Sequence, residues 1–191
     1  MKQKTYTTAV VIIPPESRWE PIQHIRCEHD RHMRRWMPHI NLLYPFRPPD
    51  LLEPASNAIR DAVSEIEPFD IALSEFRHFR HGRDSYTVWL APEPKERIVS
   101  LQERLLSAFP DYSDTARHSG GFTPHLSVGQ AKGKGGLRSL LGVCEEGWEP
   151  LSFSVREIHT IVRGQRFPDD VFQVYRTLPL GGHWIPQDRS E

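Results

Sequence analysis

Thr8-Ala9-Val10-Val11-Ile12-Ile13 is apolar or β-branched on both faces, the pattern of a central strand covered on each side, and Pro14-Pro15 ends it. Over residues 20–36 the apolar positions Ile22, Ile25, Met33 and Trp36 follow helical spacing, with His29 and His32 on the same stripe, until Pro38 closes the segment. Residues 39–46 read as a strand. Residues 50–67 predict a helix: Leu52, Ala55, Ile59, Ala62, Val63 and Ile66 share one face, and Asp50 and Glu53 form a capping-box-like pair at its start. Two strands, 69–79 and 86–90, flank the hairpin segment Arg80-His81-Gly82-Arg83-Asp84. Residues 95–109 carry Ile98, Leu101, Leu105 and Ala108 at helical spacing and stop at Pro110.

A polar link at 111–121 precedes a strand at 125–131, a Gly/Lys loop at 129–136 and a short helix at 137–144. Residues 151–163 alternate, but the phase slips near Arg156-Glu157, which predicts a bulge. Residues 171–180 are the last strand, and 181–191 read as a loose tail. Hairpins and helical links are mixed among about seven strands and four helices, so the class is α+β with a largely antiparallel sheet.

Composition narrows this further. A chain of 191 residues fits one domain, here 1–180, better than two. Hydrophobic residues at 38% against 26% charged suffice for a core and exclude wholesale disorder. Lys+Arg 24 against Asp+Glu 25 gives a net charge of −1, so contact with nucleic acid requires a local basic patch. No apolar run approaches the ~20 residues that cross a bilayer, so no membrane partner is expected. The opening MKQKTYTTAVVII lacks a small-residue cleavage site and reads as a strand, not a signal peptide. Cys27 and Cys144 cannot make a disulfide framework, which suits a reducing, cytoplasmic setting.

One short pattern occurs twice. Pro38-His39-Ile40-Asn41-Leu42 matches Pro124-His125-Leu126-Ser127-Val128, each copy at the start of an expected strand. Alternation puts His39 with Asn41, and His125 with Ser127, opposite the apolar residues that seat each strand. A single such His reads as a solvated strand edge. Two copies 86 residues apart, with the same proline and the same alternation, instead suggest two similar lobes that each offer a His and a short hydrogen-bonding residue. Imidazole titrates near pH ~6.5, so a neutral and a protonated ring can coexist and move protons in line across a phosphodiester. Asn41 and Ser127 supply donors for the phosphate oxygens, and no metal or other cofactor is demanded.

These residues resemble the two-histidine (2H) phosphoesterase superfamily, whose mark is a pair of His-x-Ser/Thr-x motifs on strands of a two-lobed fold. His39-Ile-Asn41-Leu42 and His125-Leu-Ser127-Val128 fall on the motifs, and residues 38–46 look most like the 2′-5′ RNA ligase-like branch. The resemblance spans about residues 5–180. It implies a bilobal, pseudo-twofold, largely antiparallel fold around a central cleft, with helices packed outside. It also implies metal-independent hydrolysis or transesterification of 2′,3′-cyclic phosphates or 2′-5′ linkages in RNA ends or small nucleotides, with no obligate protein partner. His39 and His125 would be the acid/base pair, and Asn41 and Ser127 the phosphate donors. Asn41 departs from the usual hydroxyl residue; an amide still donates. That departure sustains an alternative, a nucleotide- or RNA-binding module with the same cleft but little turnover.

Among the aromatics, Tyr44 and Phe46 share the parity of Ile40 and are expected in the core, whereas Phe122 is a candidate to stack on a base. Lys132, in the Gly/Lys loop, is a candidate for RNA phosphate; the loop fails the Walker A pattern at Lys134-Gly135-Gly136. Arg77, His78, Arg80, His81 and Arg83 form the densest basic patch, read as a charged turn that could steer an anion. Cys27, His29 and His32 do not share one side of a helix, so a zinc site, and with it a metal-dependent hydrolase, is the weakest reading.

Overall fold

Burial on both faces of a strand demands small or β-branched side chains throughout, and β1 (Thr8–Ile12) meets that demand with every residue buried. The computed structural model describes residues 3–116, 121–164 and 170–181. Beyond β1 the chain forms α1 (Trp19–His29), β2 (Ile40–Leu43), α2 (Leu52–Val63), β3 (Phe69–His81) and β4 (Ser85–Glu93). It continues with α3 (Lys95–Ala108), β5 (Leu126–Lys132), α4 (Gly133–Glu145), β6 (Leu151–Val155), β7 (Glu157–Val162) and β8 (Gln173–Pro179). The strands make two four-stranded antiparallel sheets, ordered β2-β1-β7-β8 and β5-β4-β3-β6. The class is α+β, as the mixture of hairpins and helical links implied.

The order of elements is pseudo-twofold. In one sheet β1 and β2 pair across the connection α1; in the other β4 and β5 pair across α3. Each connecting helix crosses over, α1 packing on β5 and α3 on β2, while α2 and α4 return to their own sheets. This exchange ties both sheets into one core that includes Val10, Ile40, Leu42, Val88, Leu126 and Val128. Each fully buried Ile, Leu or Val there contributes about 1.5–3 kcal/mol relative to exposure. The register of β2 and β5 is therefore fixed: a one-residue slip would expose Ile40 and Leu42 and bury Asn41. Among the described residues no helix is long and apolar enough to cross a membrane.

Several local expectations change. The first helix ends at His29, not Trp36, because Asp30 leaves helical geometry and captures backbone. Its Oδ1 accepts from His32 N at 2.9 Å and its backbone oxygen from Met33 N at 3.0 Å, a local alternative to another helical turn. Asp50 and Glu53 form no capping box. A 3-10 turn (Pro49–Leu51) leads into α2, and the Glu53 carboxylate accepts from Tyr175 and Arg176 instead. The Gly/Lys loop is absent: β5 runs to Lys132, and Gly133, at φ +72, turns directly into α4. Leu137, Leu140, Leu141 and Cys144 anchor that helix against the core and carry it back through Gly135 and Gly136. The phase slip at Arg156 is not a bulge but a change of sheet, β6 joining β3 and β7 joining β1, so the described strands number eight. Most of the expected tail, 182–191, lies outside the described residues, as do 117–120 of the polar link.

Candidate functional site

The two Pro-His segments fold alike. Pro38 and Pro124 are buried, and each biases the residue before it towards extended backbone, so that residue's carbonyl is presented to the imidazole that follows. His39 Nδ1 lies 2.8 Å from the Met37 oxygen, and His125 Nδ1 lies 2.8 Å from the Thr123 oxygen. A carbonyl can only accept, so in both rings the proton sits on Nδ1 and the lone pair of the neutral form is on Nε2. Here the polar faces of β2 and β5 begin.

Two chambers adjoin at this point. The wider, about 590 Å³, is lined by His125, Phe79, Arg80, His81, Thr115, Phe122 and neighbouring residues. The narrower, about 330 Å³, is lined by His39, Arg26, Asp30, Arg31, His32, Arg35, Trp36 and Gln130. Asn41, Tyr44, Thr87 and Ser127 line both and form a waist between them. The structure thus brings His39, His125, Asn41, Ser127 and Phe122 to one groove. Lys132 does not reach it: it sits at the far end of β5 opposite Ser85, seven residues of extended chain or roughly 23 Å from His125. Among the described residues no group of three or more His, Cys, Asp or Glu is set to hold a metal ion. Another groove of about 560 Å³, between α1 and the end of α4, contains none of the four motif residues.

The imidazole environments differ. Burial lowers the His39 pKa to about 4; the Met37 hydrogen bond opposes this, while the positive charges of Arg26 and His125 push it further down. His39 is therefore neutral near pH 7, and it senses the charge of the other imidazole. Its Nε2 accepts from Asn41 Nδ2 at 3.1 Å, which leaves one amide hydrogen of Asn41 for another acceptor. The ring stacks on Trp36 at 4.5 Å and 14°, and Trp36 stacks in turn on Phe172 at 3.7 Å. Arg26 holds Trp36 in place, donating from Nη2 to the Trp36 oxygen at 2.9 Å and from Nε to Asp30 at 2.9 Å. His125 meets the Phe79 ring edge-on at 4.9 Å and the Trp89 ring at 5.9 Å.

Sequence reasoning missed several of these residues. Tyr44 packs, partly buried, against the cluster of Ala9, Val11, Ile161 and Phe172 as a core residue would, but it also lines the waist because β2 ends at Leu43, where strand parity stops applying; Phe46 is buried as expected. His29 borders the sheet at Gly129, but His32 lies in the narrower chamber. Of the basic hairpin, Arg80 and His81 line the wider chamber, whereas Arg77 pairs with Glu75. The repeated residue-Pro-His order was a readable sign of the two Nδ1 anchors. Nothing local foretold Arg26 beneath Trp36.

A family model described as the 2′-5′ RNA ligase superfamily matches residues 14–166. The RNA 2′,3′-cyclic phosphodiesterase of Methanothermobacter thermautotrophicus (strain Delta H) is 34% identical over 77 residues, which span 40% of this chain and 41% of that protein's length. Escherichia coli LigT, solved with 3′-AMP, superposes with a TM-score of 0.62 at 16% identity, over 93% of this chain and 99% of that one. TT0787 of Thermus thermophilus gives a TM-score of 0.60 at 16% identity, over 93% and 100%. At such identity the structural likeness speaks for the fold.

Proposed function

The chain belongs to the 2′-5′ RNA ligase superfamily, and from that premise we propose that it is a metal-independent phosphoesterase that opens 2′,3′-cyclic phosphates, or cleaves 2′-5′ linkages, in RNA ends or small nucleotides. The observation that carries this is the mirrored pair of imidazoles, each fixed at Nδ1 by the carbonyl two residues before it, on either side of one waist. His39, neutral near pH 7, is the base: its Nε2 takes a proton from the attacking water as the new P–O bond forms. His125, as the imidazolium, gives its Nε2 proton to the ribose oxygen as the P–O2′ or P–O3′ bond breaks. The product is a phosphate monoester and a free hydroxyl. Ser127 and the remaining amide hydrogen of Asn41 donate to the non-bridging oxygens. A relative named RNA 2′,3′-cyclic phosphodiesterase and a LigT complex with 3′-AMP support this substrate class. Phe122 lines the wider chamber as a stacking partner for a base, beside Phe79, which is itself stacked on Trp89 at 4.8 Å.

The test is hydrolysis of 2′,3′-cyclic AMP and of a 2′-5′ diadenosine in chelator, with products resolved by chromatography. His39→Ala and His125→Ala should each lower turnover by at least ~10²-fold; near-normal rates in both would overturn the mechanism. The Asn41 hydrogen bond on His39 Nε2 supports a second reading, a binding module with little turnover, because it occupies the atom a base must use. Nucleotide that binds wild-type protein and is recovered intact would favour that version.

A further inference from the structure

We propose that the narrower chamber, on the His39 side of the waist, binds a second phosphate of the substrate, so that the preferred ligand carries a phosphate one linkage away from the reacting one. This rests on the phosphoesterase reading for what occupies the waist. The charge balance of the chamber is the basis. Its lining holds Arg26, Arg31 and Arg35 but one carboxylate, Asp30. Asp30 is already committed: it pairs with Arg26 at 2.9 Å, both side chains being almost fully buried, and its Oδ1 accepts from His32 N and from Gln130 Nε2 at 3.1 Å. Arg26 and Asp30 therefore cancel, and the charge presented to the chamber is that of Arg31 and Arg35.

Among the described residues neither of these two is closely paired with a carboxylate. Among the described residues Arg31 has no carboxylate at ion-pair distance, and its Nε donates to His32 Nε2 at 3.1 Å. Arg35 meets Asp170 only at 3.9 Å, and Asp170 already takes two bonds of 2.7 Å from Arg163. His32 registers the resulting field: burial first, then the charges of Arg31 and Arg35, lower its pKa, with Asp30 opposing. The backbone is fixed as well, since Arg31 N donates to Gln130 Oε1 at 3.1 Å, tying the turn after α1 to β5 beside Ser127. Two guanidinium forks around a small chamber are chemistry suited to phosphate, which they can bind bidentately. The lining shared through Asn41, Tyr44, Thr87 and Ser127 makes the narrower chamber contiguous with the waist, so the phosphate next along the substrate is the one it would take. The wider chamber, with Phe79 and Phe122, suits a base better.

Equilibrium binding separates this proposal from turnover. Calorimetry would compare adenosine 3′-monophosphate, adenosine 3′,5′-bisphosphate and the dinucleotide ApAp, none of which needs to react. The wild-type protein should bind the bisphosphate and the dinucleotide at least ~10-fold more tightly than the monophosphate at low salt, with a steeper salt dependence. A gain with the bisphosphate alone would identify a terminal phosphate as the group bound, and a gain with both an internucleotide one as well. In Arg31→Gln/Arg35→Gln the affinity ratio should fall to about one. Equal affinities in wild-type protein, or a ratio that survives in the variant, would overturn the proposal. If the variant fails to fold, the wild-type ratio and its loss in high salt decide alone. Absence of cyclic phosphate hydrolysis would count against the catalytic reading and leave this measurement standing.

Discussion

Replacing Asp30 with Asn removes one charge from a pair that water scarcely reaches. The Arg26 and Asp30 side chains are 2% and 4% exposed, and their Nε and Oδ2 atoms are 2.9 Å apart. In Asp30→Asn the new Oδ1 still accepts from His32 N and Gln130, which turns the amide NH2 towards Arg26 Nε, donor against donor. Leaving one member of a buried pair uncompensated costs about 3–5 kcal/mol. Arg26 keeps its bonds to Gln23 and to the Trp36 oxygen, which favours the lower end, about 3 kcal/mol. Burial works to raise the Asp30 pKa, but the His32 and Gln130 hydrogen bonds and the Arg26 charge outweigh it and hold the carboxyl below its ordinary value. The stabilisation is thus present above that ordinary value and lost as pH falls through the lower, folded one, so at pH 7 the full difference is measurable. Urea unfolding followed by tryptophan fluorescence should show the loss with an unchanged m-value. Arg26→Met/Asp30→Leu should recover part of it, because no charge is then left unpaired, although His32 N–H and the Trp36 carbonyl lose their partners. A cost for Asp30→Asn below about 1 kcal/mol would refute the view that a desolvated pair anchors Trp36 beneath His39.

Acid should weaken the fold before carboxylates titrate. Burial, the largest cause in both, lowers His39 and His159 to about 4, so the unfolded chain binds more protons below its ordinary 6.5 and stability falls as pH drops through that window. By pH 4.5 each is expected to remove about 2–3 kcal/mol; equal unfolding free energies at pH 7 and 4.5 would contradict this. Gly129→Ala should cost about 1–3 kcal/mol in urea unfolding. Its Cβ would lie 2.9 Å from His29 Cβ, 3.1 Å from Leu140 Cδ2 and 3.3 Å from the His29 carbonyl oxygen, so α1 and β5 would have to part. An unchanged midpoint would show that the contact gives way freely. Turnover of cyclic phosphate in dialysed protein should be the same with and without chelator, and a loss restored by added metal would contradict the two-imidazole chemistry.

What could be read from the sequence was what alternation and helical spacing fix locally. Ile40 and Leu42, like Leu126 and Val128, have to face the core, and that alone turns His39, Asn41, His125 and Ser127 the other way. Where the pattern was right but its cause lay elsewhere, the reading slipped. Leu151–Val155 and Glu157–Val162 alternate out of phase because they belong to different sheets, which one-dimensional periodicity cannot distinguish from a bulge. The helix over 20–36 satisfied spacing, yet Asp30 broke it by capturing His32 N–H with its own carboxylate and Met33 N–H with its carbonyl, a local competition that apolar spacing does not register. Tyr44 escaped the parity argument by lying past the end of β2. Asp30 and Arg26 are an i,i+4 pair, but the rest of the Asp30–Arg26–Trp36–His39 chain was illegible because its links from Arg26 to Trp36 and from Trp36 to His39 follow no shared periodicity.

The most direct measurement is a titration of adenosine 3′-monophosphate into protein labelled with ¹⁵N at histidine, with the ring nitrogens of both motif residues followed by long-range correlation spectra. The account predicts that His39 and His125 Nε2 shift together along one binding isotherm, and that the His39 pKa climbs from about 4 as the anion neutralises its surroundings. A ligand that moves one ring and leaves the other unchanged, or moves them with two different affinities, would contradict a single phosphate held between them.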